Sequence, residues 1–295
     1  MKAFLGIARA KFLLLPVTLV AVGAAAAAYD GTFHLIHTLL ALVGLTAMHV
    51  SVNSLNEYSD FRRGIDLATE RTPFSGGSGT LPSGALPARA ALYLGLGAAL
   101  LGLAIGVYFF SRFGSALLPI FVLGAVSVLG YSDLLARAYV GEIFAGLGLG
   151  TLPVLGTAIV QGGELGIAAV AASFPPFFMT FNLLLLNEFA DEKADQEGGR
   201  RNLVRLLGRA GAARAYVILG WAVPVCLILS IAWGALPALS LLACLPSLAL
   251  IAPTRWALTS PLEPVPLPAL GANVIWNLAT NTVLAISLGV ALILK

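Results

Sequence analysis

The sequence Asn56-Glu57-Tyr58-Ser59-Asp60 ends one long apolar stretch, and a similar sequence, Asn187-Glu188-Phe189-Ala190-Asp191, ends another. The chain otherwise avoids charge, because only 17 Lys and Arg and 14 Asp and Glu occur among its 295 residues. Carboxylates and amides at the ends of apolar segments are costly unless they have partners. The repeat therefore indicates two halves of one ion site.

The composition predicts an all-α integral membrane protein. Hydrophobic residues make up 59%, charged residues 11%, and the mean hydropathy is +0.93, whereas a soluble domain carries roughly 25% charge. A membrane-spanning helix needs about 20 mostly apolar residues. On this criterion the sequence predicts nine transmembrane helices, bundled around a central cavity, over residues 12–29, 33–57, 87–110, 113–131, 139–161, 165–189, 212–233, 235–252 and 270–294.

The basic residues predict the topology. With nine spans and a cytoplasmic N-terminus, every Lys and Arg except Arg112 and Lys295 lies on the cytoplasmic side, as the positive-inside rule requires. The C-terminus is then on the opposite side, and the net charge of +3 reflects topology instead of nucleic-acid binding. The alternative for the first apolar stretch is a secretory signal. We expect one domain over 1–295, with cytoplasmic loops at 61–89 and 190–211, in a prokaryotic plasma membrane.

Helical spacing aligns the polar residues of each repeat. His49, Asn53, Asn56, Glu57 and Asp60 are related by spacings of three and four residues, which place side chains on one helical face. Asn187, Asp191 and Asp195 do the same at four-residue steps. Oxygen ligands of this kind suit Mg²⁺, whose octahedron is often completed by substrate phosphates. Basic residues that could neutralise a diphosphate flank the first cluster (Arg62, Arg63 and Arg71) and the second (Lys193, Arg200 and Arg201), and Arg137 lies in the loop between spans four and five.

These residues resemble the UbiA superfamily of intramembrane prenyltransferases. The segment 56–66 looks like the first Asp-rich motif of that superfamily, and the segment 187–195 looks like the second. The resemblance implies Mg²⁺ as the cofactor, an isoprenyl diphosphate and an aromatic acceptor as substrates, and contact with membrane lipid. It implies a metal site built from Asn56, Asp60, Asp66, Asn187, Asp191 and Asp195, of which the four aspartates are catalytic.

The sequence differs from the motifs of the superfamily in two ways, and one of its loops is rich in glycine. Glu57 and Glu188 stand where many members have Asp, and Gly64 stands where a four-residue repeat would place another acid, so Asp66 takes that role. The loop 61–89 contains Gly76-Gly77-Ser78-Gly79. Such glycines permit either a lid that excludes water or a passive flexible loop.

The segments Arg71–Gly79 and Tyr131-Ser132 look like the branch that prenylates dihydroxynaphthoate in menaquinone synthesis. The resemblance implies that the diphosphate is bound by Arg63, Arg71, Arg137, Lys193 and Tyr131. Transfer of the isoprenyl group to 1,4-dihydroxy-2-naphthoate is the expected reaction. The alternatives are another quinone precursor as the acceptor, a UbiA-type terpene cyclase that needs no acceptor, and a cation-coupled transporter, which would carry its acids near the bilayer midplane.

Each of the other polar residues inside the apolar stretches can be interpreted in two ways. His49 and Asn53 precede the first repeat, and Asn273 and Asn277 lie in the last stretch. They could contact the acceptor, or they could form hydrogen bonds between helices. Glu142 could support the site or cap the start of the fifth span.

Overall fold

The computed structural model describes residues 2–68, 71–72, 77–130 and 135–295. Over these ranges the chain forms helices and contains no β-strand, which confirms the predicted all-α class. The α-helices are α1 Lys2–Ile7, α2 Leu14–Tyr29, α3 Leu35–Arg62, α4 Ile65–Ala68, α5 Ala88–Phe113, α6 Leu118–Leu129, α7 Gly141–Gly146, α8 Leu152–Gly162, α9 Ile167–Ala172, α10 Phe174–Glu197, α11 Leu203–Ala232, α12 Ile251–Thr259 and α13 Leu267–Ile293.

Short segments of other helical types join some of these helices. A π-helical segment, Leu147–Thr151, connects α7 to α8, and a 3-10 helix, Ala238–Leu250, leads into α12. Two further 3-10 turns, Ala10–Leu13 and Gly114–Leu117, precede α2 and α6. The α7–α8 and Ala238–Thr259 stretches therefore each form one long apolar element.

Eight helical stretches of the described chain are long and apolar enough to cross a membrane. One of them, Ala88–Ser127, has 40 residues, about twice the length that a bilayer needs. It reverses at Gly114 (φ 58°), so that a Cβ on Gly106 would lie 3.3 Å from the ring of Phe121. In a continuous helix these two positions would be about 22 Å apart. The stretch therefore has two antiparallel arms; the count of nine spans stays a prediction.

Asn202 and Gly208, which both follow α10, determine the path of the backbone after the second repeat. Asn202 begins α11, and its Oδ1 accepts a hydrogen bond from the backbone N–H of Arg205 at 3.1 Å, as an N-cap residue does. Gly208 (φ 69°, ψ 161°) interrupts α11 with a kink, because glycine tolerates the left-handed region. The first turns of α11, before Gly208, therefore form a separate short helix over the second repeat.

The backbones of α7 and α10 approach closely through small residues. A Cβ on Gly146 would lie 2.9 Å from the carbonyl oxygen of Phe177, and one on Gly150 would lie 2.5 Å from that of Pro176. This four-residue spacing of glycines is typical of helix packing in membranes. It fixes α10, which carries the second repeat, against the helix that begins with Glu142.

Replacing Gly150 by Val should separate these two helices. The new side chain would collide with a backbone carbonyl that cannot rotate away, and overpacking of this kind costs about 1–3 kcal/mol. Gly97→Val is the matched control, because nothing lies within 4 Å of a Cβ at Gly97. Thermal unfolding in detergent should show a clear loss of stability for Gly150→Val only. Equal melting temperatures for the two variants would contradict this packing.

Candidate active site

The two sequence repeats meet in one cavity. The polar side chains of its lining come from α3, α4, α6, α10, α13, the segment before α2 and the turn after α10. They are Arg9, Lys11, His49, Asn53, Asn56, Asp60, Asp66, Ser127, Thr180, Asn187, Asp191, Asp195, Arg200 and Asn277. The apolar lining comes from Phe12, Leu15, Val52, Ile65, Phe144, Ala145, Leu149, Leu183, Leu184, Val274 and Leu278. The cavity thus joins a charged mouth to an apolar interior.

Arg200 connects the first repeat to the second. Its Nη2 donates to both carboxylate oxygens of Asp60, at 2.6 and 2.7 Å, and to Oδ1 of Asn56 at 3.2 Å. Its Nη1 lies 3.6 Å from Oδ1 of Asp195. The guanidinium is well suited to such a bridge because it presents several donors in a rigid plane. One cation therefore neutralises carboxylates from both repeats.

The turn after α10 directs Arg200 back over the site. Gly199 adopts the left-handed region (φ 76°), and the backbone N–H of Arg200 donates to the carbonyl of Asp195 at 2.8 Å. Asn202 then donates from Nδ2 to Oδ2 of Asp195 at 3.0 Å. Asp195 is thus held from three sides by the chain that follows it.

Asp66 lies in α4, beyond the membrane-spanning part of α3. Its Oδ2 is buried and accepts no hydrogen bond from the described residues. Burial, together with the nearby carboxyl groups of Glu57 and Asp60, raises the pKa of Asp66 to about 7, since each of these disfavours the anion. Gly77 (φ 71°) packs against it, and a Cβ there would lie 2.7 Å from Oδ1. The segment around Gly77 therefore touches the predicted site at this point.

Glu57 does not line the cavity, unlike Asn56 and Asp60 of the same repeat. Each helical residue is rotated by about 100°, so Glu57 lies at the edge of the face that Asn53, Asn56 and Asp60 share. It is fully buried, and it accepts hydrogen bonds from Arg9 at 3.1 Å, from the backbone N–H of Ser78 at 2.6 Å and from the hydroxyl of Ser78 at 2.8 Å. Glu57 thus fastens the N-terminal segment and the segment around Ser78 to α3.

Glu188 and Glu192 show the same division in the second repeat. Glu188 is buried beside Glu142 and does not line the cavity. Glu192 pairs with Arg209 at 2.6 Å, and Arg209 also donates to the carbonyl oxygens of Pro261 and Glu263. The glutamates therefore connect each repeat to neighbouring segments.

Four of the five predicted diphosphate-binding residues do not line the cavity. Arg71, Arg137 and Lys193 are exposed, and Arg63 is partly exposed. Tyr131 lies outside the described residues. The basic residues that line the cavity are Arg9, Lys11 and Arg200, of which only Arg200 was predicted to be able to neutralise a diphosphate. Arg200 was visible as a basic neighbour of the second repeat, but no spacing rule connects Arg9 or Lys11 to either repeat.

The remaining candidates divide into two groups. His49, Asn53 and Asn277 line the cavity, although the Nδ2 of Asn53 already donates to the carbonyl of Ala8 at 3.0 Å. Asn273 does not line it, because Tyr216 donates to its Oδ1 at 2.9 Å within the helix packing. Glu142 accepts a hydrogen bond from the backbone N–H of Leu203 at 2.6 Å. It therefore caps α11 and not the fifth span.

The oxygen donors of the cavity fit a divalent cation such as Mg²⁺ in type. Carboxylate and amide oxygens are its preferred protein ligands, and Asp66 offers a buried oxygen without a hydrogen-bond donor. Within the described ranges, however, no three acidic, His or Cys side chains converge closely enough to share an ion. The guanidinium of Arg200 lies between Asp60 and Asp195 instead. The six predicted ligands stay a prediction.

Removing the Arg200 side chain should destabilise the protein when no metal is present. Asp60 and Asp195 would lose their shared cation, and breaking one partner of a buried ion pair costs about 3–5 kcal/mol. We expect Arg200→Ala to lower the melting temperature in chelator, and Mg²⁺ to raise it by more than in the wild type. Arg201→Ala is the control, because Arg201 is exposed and stacks on Tyr139. A chelated Arg200→Ala protein as stable as this control would disprove the bridge.

Glu57→Gln should release the N-terminal segment. The amide removes the charge and one acceptor oxygen from a group that bonds Arg9 and Ser78, and hydrogen bonds to charged groups contribute about 1.5–3 kcal/mol. Trypsin should then cleave after Arg9 or Lys11 at least about tenfold faster in the native protein, since such cleavage follows local opening. Glu164→Gln, at an exposed position, should leave the rate unchanged. Protection equal to the wild type would contradict the fastening role of Glu57.

Comparison with known proteins agrees with this architecture. The model of the UbiA prenyltransferase family matches residues 14–264. A 1,4-dihydroxy-2-naphthoate octaprenyltransferase of Bacillus subtilis (strain 168) is 29% identical over 168 residues, which are 56% of this chain and 53% of that enzyme. The match therefore spans about half of the length of that relative.

Solved structures of the same fold cover nearly the whole chain. The apo structure of a UbiA homolog from Aeropyrum pernix K1 has a TM-score of 0.72 at 18% identity, covering 95% of this chain and 98% of that one. A UbiA homolog from Archaeoglobus fulgidus bound to GPP and Mg²⁺ has a TM-score of 0.67 at 17% identity, covering 99% and 100%. The family match, the helical fold and the paired Asp-rich repeats agree: this chain is an integral membrane enzyme of the UbiA prenyltransferase family.

Proposed function

We propose that this enzyme transfers an isoprenyl group from an isoprenyl diphosphate to an aromatic acceptor, with 1,4-dihydroxy-2-naphthoate as the acceptor in menaquinone biosynthesis. The observation that carries the proposal is the cavity in which both Asp-rich repeats meet above an apolar interior. The Bacillus subtilis relative, an octaprenyltransferase for this naphthoate, supports the choice of acceptor. The positive-inside pattern supports a cytoplasmic position for the mouth of the cavity, and the proposed membrane is a prokaryotic plasma membrane.

The carboxylates at the mouth would hold Mg²⁺ with the diphosphate. The candidate ligands are Asn56, Asp60, Asp66, Asn187, Asp191 and Asp195. Bound Mg²⁺ would neutralise the diphosphate and make it a better leaving group. The Archaeoglobus fulgidus homolog bound to GPP and Mg²⁺ supports this cofactor and this class of donor.

Three basic residues of the cavity would hold the diphosphate: Arg9, Lys11 and Arg200. Arg200 bonds both carboxylate oxygens of Asp60 when no substrate is bound. A metal ion on Asp60 and Asp195 would compete for the same oxygens, so the guanidinium would turn to the phosphate oxygens, for which its geometry is equally suited. Arg9 remains beside the site through its bond to Glu57. The basic set that the resemblance implied, Arg63, Arg71, Arg137, Lys193 and Tyr131, stays a prediction.

The apolar lining would hold the isoprenoid tail and exclude water. Side chains from α2, α3, α7, α10 and α13 contribute to it, including Leu15, Val52, Phe144, Leu184 and Leu278. Exclusion of water prevents hydrolysis of a reactive allylic intermediate. This requirement explains why the reaction is carried out inside a membrane. The acids lie near helix ends instead of at a broken helix in the bilayer centre, unlike those of a transporter.

The direct test is turnover by the purified protein. We expect Mg²⁺-dependent coupling when the protein is incubated with isoprenyl diphosphates of increasing chain length and a panel of aromatic acceptors, with products identified by mass spectrometry. Dihydroxynaphthoate should be coupled most efficiently, and chelation of Mg²⁺ should abolish the product. Preference for another quinone precursor would reassign the acceptor. A cyclised hydrocarbon formed without any acceptor would instead identify a terpene cyclase.

Asp191→Ala should abolish this turnover and leave the protein folded. Loss of groups that merely support a metal ligand already costs about 10–100-fold in activity, so loss of a ligand should cost at least about 100-fold. Glu197→Ala provides the control, because this exposed carboxylate lies on the same helix. Mass spectrometric turnover and thermal unfolding should be measured on both variants. Full activity in Asp191→Ala would exclude the proposed metal site.

A further inference from the structure

His49 presents an unpaired hydrogen-bond acceptor to the cavity. Its Nδ1 lies 3.1 Å from the carbonyl oxygen of Leu45, one turn earlier in α3. A carbonyl only accepts hydrogen bonds, so Nδ1 carries the proton. In the neutral ring the lone pair is then on Nε2, which is buried and has no partner among the described residues. The ring is 5% exposed and lines the cavity.

Asn277 presents an unpaired donor to the same cavity. Its Oδ1 accepts a hydrogen bond from Asn281 at 3.0 Å, one turn further along α13. The Nδ2 group is buried and has no partner in the described part of the chain. The residue is 1% exposed and lines the cavity. A buried amide donor without an acceptor is costly, and this cost would be recovered by a ligand that accepts from it.

We infer that His49 and Asn277 form the binding subsite for a hydroxylated aromatic acid, in which Nε2 of His49 accepts from a ring hydroxyl and Nδ2 of Asn277 donates to the carboxylate. The inference rests on the proposed function and specifies the acceptor chemistry of the same cavity. The other polar side chains of the cavity are less suited to bind the acceptor, because the Nδ2 of Asn53 and the hydroxyls of Thr180 and Ser127 already donate hydrogen bonds to backbone carbonyls.

The depth of the subsite agrees with such a ligand. His49 lies seven residues before Asn56 on α3, which corresponds to about 10 Å along the helix axis. Asn56 belongs to the charged mouth, where the diphosphate would bind. This separation is comparable to the length of a substituted bicyclic aromatic ring. The reacting ring carbon can therefore lie near the diphosphate-bearing carbon while the hydroxyl reaches His49.

The chemistry assigns His49 the role of a general base. As the donor C–O bond breaks, its electron pair leaves with the diphosphate, and a ring carbon of the acceptor forms the new C–C bond. The ring hydroxyl supplies electron density to that carbon and transfers its proton to Nε2, which gives a ring ketone and a protonated His49. The alkylated carbon then loses its hydrogen as a proton to solvent, or its carboxylate as carbon dioxide. Either loss leaves an aromatic phenolate, which takes the proton back from His49 and restores the neutral base.

The test compares acceptors that differ in one polar group. Initial rates of transfer are measured with a hydroxyarenoic acid, its hydroxyl methyl ether and its methyl ester, using the wild type and the variants His49→Phe, Asn277→Leu and, as the control at an exposed serine outside the cavity, Ser111→Ala. We expect His49→Phe to lower kcat/KM for the parent acceptor by about 100-fold, in the range of general base catalysis. We expect about a tenfold loss for Asn277→Leu, the equivalent of one hydrogen bond. The KM for the isoprenyl diphosphate should not change.

The pattern of discrimination separates a binding role from a structural one. The wild type should prefer the free hydroxyl over the ether, and His49→Phe should lose this preference while still distinguishing acid from ester. Asn277→Leu should lose the preference for acid over ester while still preferring the free hydroxyl over the ether, and Ser111→Ala should behave as the wild type. Unchanged preferences in both variants would overturn the subsite. If a variant fails to fold, the wild type still tests the subsite. Transfer by the wild type to the methyl ether as fast as to the parent acid would also overturn the subsite. Failure of the wild type with every acceptor would instead overturn the proposed function.

Discussion

The guanidinium of Arg200 is the group on which the geometry of the site depends. It binds both carboxylate oxygens of Asp60 and lies 3.6 Å from Asp195, so it joins helices whose acids would otherwise repel one another. Like charges at close range in a poorly screened environment are strongly destabilising. The cation therefore keeps the two halves of the site together. Under the proposed function it would turn to the diphosphate when a metal ion occupies these carboxylates. The site is held in an open but organised form.

The acids of the two repeats have different functions because of their rotation around the helix. Aspartates and amides four residues apart point into the cavity, whereas Glu57 and Glu192 point to neighbouring segments. The longer glutamate side chains reach Arg9 and Arg209, and these contacts hold the N-terminal segment and the last loop against the bundle. Each repeat thus combines a ligand face with an anchoring edge, which gives rigid support to groups that must bind a metal.

Charge and apolarity are separated along the cavity. The carboxylates and the basic residues are concentrated at the mouth, and the interior is lined by aliphatic and aromatic side chains with few polar groups. The few polar groups that remain in the interior are informative, because an unpaired polar atom costs more in such surroundings than at the surface. His49 and Asn277 are unpaired in this way, and for this reason their pairing with an acceptor is chemically specific.

The sequence by itself determined the helical class, the long apolar stretches and the spacing that brings the aspartates and asparagines of each repeat to the cavity. These features follow from local rules, since apolar length identifies a span and a period of 3.6 residues identifies a face. Only the tertiary structure decided which cations reach the acids. Arg9 is 51 residues before Asp60, and Arg200 returns to it only through the turn at Gly199. Contacts of this kind depend on helix packing and on loop geometry, which hydropathy and spacing do not encode.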